Sequence, residues 1–258
     1  MLNQSSCQMN RQLALAIQLN DEATLADFCW GSNTLLQQQL TMALQGKGER
    51  LFTIWGNHGC GKSHLLQACC QAMSIHAAAT IYLPLKILKE WGPASIEGIA
   101  EQDLIAIDDI EVIANDKAWE EALFHLYNKV RDNGKTILLI TTQHPPASSL
   151  IHLPDLRSRL AWSLVVQLNE LEDDLKIKTL QQHASKRGFK LPISVGQFLL
   201  NRCARNMHDL HAILNQLDEA SLIAQRKITI PFVKSILSIL IHTLHVNTEL
   251  NARYRVTL

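Results

Sequence analysis

Residues 56 to 63 read Gly-Asn-His-Gly-Cys-Gly-Lys-Ser, a complete G-x-x-x-x-G-K-[ST] pattern. No other run in the chain constrains the fold as much, because the pattern works only as the turn between a buried strand and a helix. The flanks agree: Leu51 to Trp55 is an apolar run with strand character, and His64 to Ser74 is rich in Leu, Gln and Ala. The residue types carry the chemistry. Gly56, Gly59 and Gly61 let the backbone turn its amides inward, where Asn57, His58, Cys60 and the helix N-terminus at Lys62, Ser63 and His64 complete an anion cradle. Lys62 would reach the β and γ phosphates of a bound ADP or ATP, and the Ser63 hydroxyl would bind Mg²⁺. Such an octet arises by chance in roughly one chain of this length in a hundred, before the flanks are considered.

The second chemical motif is Leu104-Ile105-Ala106-Ile107-Asp108-Asp109, a buried-strand pattern ending in two carboxylates. Asp108 would complete the magnesium shell begun by Ser63. Asp109 would orient or deprotonate an attacking water. On its own this run reads equally well as a strand leaving the core through two solvated acids; paired with residues 56–63 it reads as the metal site.

Further strands are expected at Thr80 to Leu83, Thr136 to Thr141 and Leu164 to Leu168, with helical stretches between them. Short apolar runs alternating with helices predict a parallel sheet covered on both faces. After Asn169 only amphipathic helices follow: Leu171 to Arg187, Val195 to Arg205, Met207 to Gln225 and Pro231 to Leu244. The chain therefore divides into a segment 1–22, an α/β domain 23–168, a helical domain 169–240 and a tail 241–258. The 24 Lys and Arg balance 24 Asp and Glu, so no global field attracts nucleic acid. No apolar run approaches the ~18 residues of a membrane span, and the N-terminus lacks the pattern of a secretory signal. Six cysteines without a C-x-x-C pair suit reduced thiols in the cytoplasm.

Taken together, the paired motifs, the five-strand pattern and the helical C-terminal part resemble an AAA+ ATPase of the DnaA initiator family. Thr24-Leu25-Ala26-Asp27-Phe28 with Gly31-Ser32-Asn33 is similar to that family's entry into the nucleotide pocket, and Lys62 to Ala68 to its phosphate-loop helix. Asp155-Leu156-Arg157-Ser158-Arg159-Leu160-Ala161-Trp162 is similar to its arginine-finger element. The resemblance covers about Ala23 to Leu240. It implies a five-stranded AAA+ domain followed by an all-helical lid, with Arg159 acting in trans on a nucleotide held by a neighbour. Arg157 would have a structural part.

Several departures from the initiators narrow what the resemblance implies. Only 34 residues follow Ala224, too few for the initiators' duplex-reading domain, and the stretch from Tyr82 to Asp108 is shorter than their single-strand-contacting insert. Sequence-specific DNA binding is therefore not expected. Gly188-Phe189-Lys190-Leu191-Pro192 and Ala224 to Lys234 are closer to a regulatory branch of the family. Gln12, Leu13, Leu15, Ile17 and Leu19 resemble a sliding-clamp-binding peptide, a glutamine followed by spaced aliphatics that would fill an apolar groove. Two sensors differ: the first ends at Thr142 and Gln143, where initiators carry an acid at the second position, and the other has His208 in place of arginine, with Arg205 three residues earlier. The resemblance implies a regulator tethered to the DNA polymerase sliding clamp, possessing at most weak ATPase of its own and promoting hydrolysis of ATP on a DnaA initiator. A homo-oligomer stays open. The second reading is an initiator-like or helicase-loader ATPase acting directly on DNA, which predicts a basic, aromatic-lined surface.

Overall fold

The computed structural model describes residues 23–202 and 205–236. The expected clamp-binding residues Gln12, Leu13, Leu15, Ile17 and Leu19 and the tail 241–258 lie outside these. Five parallel strands, β1 (Leu51–Trp55), β2 (Thr80–Pro84), β3 (Leu104–Asp108), β4 (Ile137–Thr142) and β5 (Leu164–Gln167), form one sheet in the order β2-β3-β4-β1-β5. Each strand falls within about two residues of the bounds its apolar pattern predicts.

The two central strands show why the sheet is covered on both sides. All of β3 and β4 is buried, and side chains alternate between faces. Ile105, Ile107, Leu138 and Ile140 enter one core with Leu83, Trp119, Leu123, Leu156 and Leu160. Leu104, Ala106, Ile137 and Leu139 enter the other with Phe52, Ile54, Leu65, Leu66 and Cys69. Each such Leu or Ile contributes about 1.5–3 kcal/mol by burial, and the helices that supply the opposing side chains are fixed by that gain. Helices α1 (Thr34–Leu44) and α2 (Lys62–Ser74) cover the second face; α4 (Lys117–Asn133) and α5 (Pro154–Trp162) cover the first. The short α3 (Leu85–Leu88) follows β2 directly. The connection from β1 crosses to β2 on one face, whereas that from β4 crosses to β5 on the other, so a crevice opens beside β1 at the carboxyl edge of the sheet. Ligands of open parallel sheets bind at such a switch point.

A third core belongs to the helical domain. Ile177, Leu180 and Ala184 of α6 (Asp173–Lys186), Val195, Leu199 and Leu200 of α7 (Ile193–Arg202), and Leu210, Leu214 and Leu217 of α8 (Met207–Ala224) meet Ile228 and Val233. Residues 230–236 are also helical, and the rest of the helix expected to reach Leu244 lies outside the described residues. No helix among the described residues is long and apolar enough to cross a membrane.

One buried carboxylate sets where α5 lies. Glu120 on α4, 2% exposed, accepts hydrogen bonds from the backbone N–H of Asn115 at 3.0 Å, His152 at 3.1 Å and Leu153 at 2.6 Å. It ties the loop before α4 to the segment that enters α5, and charged groups of this kind are retained in cores only when so satisfied. Replacing Glu120 by Ala strands three donors; urea unfolding should show a loss of about 2–4 kcal/mol, whereas Glu120→Gln, which keeps an acceptor, loses less. Equal losses for the two variants would mean that the carboxamide cannot serve the same donors.

Candidate functional site: a nucleotide cavity between the sheet and the lid

A cavity of about 320 Å³ lies at the carboxyl edge of the sheet, lined by the phosphate loop from His58 to His64, by Phe28 and Asn33 before α1, by Lys86 and Asp109, and by lid residues including His183, His208 and His211. The loop has the predicted geometry. Gly59 and Gly61 adopt φ of +75° and +106°, the left-handed region that side chains disfavour. A Cβ on Gly56 would stand 2.5 Å from the Leu168 carbonyl oxygen, so that glycine is required by the close passage of the β5–lid connection. The Gly56 N–H donates to the Thr142 carbonyl at 3.2 Å, which fastens the loop to β4. Lys62 is buried, its Nζ donating to the carbonyls of Gly56 at 2.6 Å and Asn57 at 3.0 Å. The ammonium is thus carried inside the curl of the loop, at the start of α2, where the helix dipole and free N–H groups add to the anion field. Burial pushes the Cys60 thiol up from its ordinary value, so it remains a neutral wall of the loop.

The residues expected to hold Mg²⁺ converge. Asp108 is 3% exposed and accepts from the Tyr82 hydroxyl at 2.7 Å and the Thr141 hydroxyl at 2.5 Å. The Tyr82 hydroxyl also interacts with Ser63 and Gln67, and burial followed by the Asp108 charge raises its pKa. Ser63 and Asp108 therefore share one neighbour, and this hydroxyl–carboxylate pair beside the loop is a hard oxygen donor set that fits Mg²⁺. Ser63 and Asp108 would hold the metal, which when bound would offset phosphate charge.

Asp109 is held differently from what its expected work with water requires. Its backbone is left-handed, φ 58° and ψ 56°; its N–H donates to the Thr141 hydroxyl at 3.0 Å, and its Oδ2 lies 2.6 Å from the Lys86 ammonium. Nearby, Glu111 has both carboxylate oxygens buried with no hydrogen-bond partner, and burial raises its pKa. Lys86 was not singled out in the sequence; the only signal was its position two residues beyond Pro84, which pairs with Asp108 across β2 and β3.

The lid closes over the loop through direct contacts. Asn206 caps α8, accepting from the Asp209 N–H at 2.9 Å and donating to its carboxylate at 2.8 Å, and the next N–H, that of Met207, donates to the Gly59 carbonyl at 3.2 Å. His208 lines the cavity with its ring edge-on to His58, centroids 5.7 Å apart. His64 lies between Phe28 and His183, at 5.7 and 6.5 Å, and His183 packs against His211 at 4.3 Å. His64 lines the cavity and its Nε2 is buried without a hydrogen-bond partner. Burial, then the neighbouring His183, lowers the His64 pKa. Asn33 bridges the domains: its Nδ2 donates to the Asn169 carbonyl at 3.0 Å and its Oδ1 accepts from the Asn169 N–H at 2.7 Å. Asp27 pairs with Lys186 of α6, and that contact first, then Thr24, holds its carboxyl below the ordinary range.

The other expected sensor residues do not line the cavity. Thr142 serves the sheet and loop through its backbone, Gln143 lies beyond the end of β4, and Arg205 faces Asp173 of the lid at 3.3 Å. Arg205 is thus paired within the lid. Arg159 is likewise absent from the lining. It lies half-buried on α5 with its guanidinium 4.9 Å from the ring centroid of Trp162, a residue 76% exposed, a cation–π contact at the surface. Arg157 is exposed.

Known proteins are similar to this chain in sequence or in fold. The bacterial DnaA ATPase domain family matches residues 92–167, and the family described as Hda, lid domain, matches residues 173–237. An uncharacterised protein of Haemophilus influenzae is 42% identical over 231 residues, 90% of this chain and 100% of that protein. Domain III of the Thermotoga maritima replication initiation protein DnaA superposes with a TM-score of 0.74 at 19% identity, covering 86% of this chain and 98% of that one. AMPPCP-bound DnaA from Aquifex aeolicus gives 0.65 at 21% identity, covering 76% of this chain and 65% of that one. The chain belongs to the DnaA-like AAA+ proteins and, by its lid, to the Hda type.

Proposed function

We propose that this chain is a cytoplasmic regulator of replication initiation that holds ADP or ATP with Mg²⁺ in its own cavity and promotes hydrolysis of ATP on a DnaA initiator. The observation that carries this reading is the position of Arg159: it stands at the molecular surface, outside the chain's own nucleotide cavity, where a guanidinium is available to another molecule and not to its own ligand. An arginine delivered in trans stabilises charge on the transferring γ-phosphoryl group and is worth ~10³ to 10⁵ in rate. In its own cavity the nucleotide would be a structural ligand, with Lys62, the loop amides and His64 on one side and His183, His208 and His211 on the other joining the two domains. Gln12, Leu13, Leu15, Ile17 and Leu19 would bind the sliding clamp and so bring the regulator to loaded DNA. A role as a DNA-acting ATPase finds less support, because among the described features Arg157, Arg159 and Trp162 of α5 form only a small basic and aromatic patch.

The test is to mix the protein with ATP-bound DnaA and clamp-loaded DNA and follow the bound ATP. The wild type should accelerate hydrolysis, Arg159→Ala should lose on the order of 10³ of that acceleration, and Asp109→Asn should keep it. No acceleration by the wild type sinks the reading. A clamp pull-down should lose recovery with Gln12→Ala/Leu15→Ala; equal recovery rejects the tether alone. Stability should also depend on pH. Burial first, then His183, holds His64 below its ordinary value of 6.5, so its contribution to stability is fully present above about pH 6.5 and is lost as the pH falls through its lower folded value. The Tm of the nucleotide-free chain should therefore fall on acidification below that range. His64→Gln should flatten this profile, while an unchanged slope would assign the dependence to another group.

A further inference from the structure

We propose that Lys86 is a positioning residue that restrains the chain's own hydrolytic site: its ion pair with Asp109 occupies the carboxylate that would otherwise orient water, so that bound ATP persists. The inference rests on the nucleotide-binding part of the reading above and not on action in trans.

Three observations converge on it. First, Asp109 is presented toward the cavity by its left-handed backbone and its N–H bond to Thr141, and the Asp109 side chain, 13% exposed, has Lys86 Nζ at 2.6 Å. Second, both residues line the same cavity as Lys62 and Ser63, so the pair borders the space that a nucleotide on the phosphate loop would enter. Third, Asp108, Asp109 and Glu111 place three carboxylates at one end of β3, and all three attract Lys86; losing the ion pair would leave this cluster without that ammonium. The pair is also set by the fold itself, since α3 begins immediately after β2 and so delivers Lys86 beside the end of β3. Gln143, at the end of β4, offers only an amide in place of an acid.

The chemistry restrained is ordinary hydrolysis. A water oxygen bonds to the γ phosphorus as the bond from that phosphorus to the β–γ bridging oxygen breaks. ADP leaves with the electron pair, and a proton of the water passes to solvent with inorganic phosphate. Asp109 would contribute by accepting a hydrogen bond from that water, which fixes its line of attack. The ammonium on Oδ2 fixes the orientation of the carboxylate toward α3, so that the carboxylate holds this water less well. Lys86 contributes to the restraint only as long as it holds that oxygen.

The experiment uses the full chain loaded with radiolabelled ATP and no partner protein. Conversion to ADP in a single turnover is followed for the wild type, Lys86→Met, Lys86→Arg, Asp109→Asn and the double variant Lys86→Met/Asp109→Asn, with retention of a fluorescent ADP and Tm measured in parallel. Lys86→Met should convert ATP on the order of 10-fold faster or more, Lys86→Arg should stay slow because it keeps a cation, and the double variant should return to the wild-type rate or below. The Tm shifts of the two single changes should be non-additive, as expected for groups in contact. The proposal is overturned if Lys86→Met retains nucleotide but turns over no faster, if it loses nucleotide and so marks Lys86 as a phosphate ligand, or if the Tm shifts simply add. Failure of Arg159 to act on DnaA would leave each of these outcomes readable.

Discussion

The space next to Gly59 organises the molecule. A Cβ at that position would stand 2.6 Å from both Cβ and Oδ1 of Asn206, so the lid reaches the phosphate loop only because the loop has a glycine there. Its φ of +75° aims the loop amides inward, and its carbonyl accepts the Met207 N–H, one of the donors that a helix start leaves free. One residue thus shapes the anion cradle and seats α8. The cavity exists because the α/β domain and the lid meet here and along the Asn33–Asn169 bridge, and any ligand in the loop is also in contact distance of the lid.

The cavity is lined from both domains. The contacts across the cavity are polar and few: Asn57 with Glu170, Asp27 with Lys186, the Gly59 carbonyl with Met207, and the edge-on histidines. The large apolar cores lie within the domains. Interfaces made this way are weaker than the cores they join, so a nucleotide that touches both sides adds substantially to their association. On the opposite side of the α/β domain, the core that holds α5 through Leu156 and Leu160 and the triply bonded Glu120 give Arg159 a rigid base. Helix α5 and the cavity therefore lie on separate parts of the α/β domain, α5 against one face of the sheet and the cavity at its carboxyl edge.

Much of this was legible in the sequence for a physical reason. Strand alternation, an apolar run that ends in carboxylates and the glycine spacing of residues 56–63 are local patterns, and local patterns survive tertiary packing when every neighbour in the sheet is apolar. Hence the five strands follow from residue order, as do the left-handed glycines of the loop. The sensor residues were less legible. Arg205 is three positions from His208, close enough on a helix to substitute for it, but the helix begins only at Met207, and a residue before the cap points where the incoming chain sends it, here toward Asp173.

Sequence by itself determined the class of the protein: a phosphate loop on a parallel sheet, a paired acidic strand end, and a helical block after Asn169, because these depend on periodicity and on backbone freedom at particular glycines. Only the tertiary structure decided what the functional groups touch. Lys86 and Asp109 are 23 positions apart and belong to different crossovers, Asn206 is 147 residues from Gly59, and His64 and His183 come from different domains; their meeting depends on strand order and on the angle at which the lid is seated, neither of which any local pattern encodes. The acid that residue order marks as a partner for water is, in the folded chain, a partner for lysine.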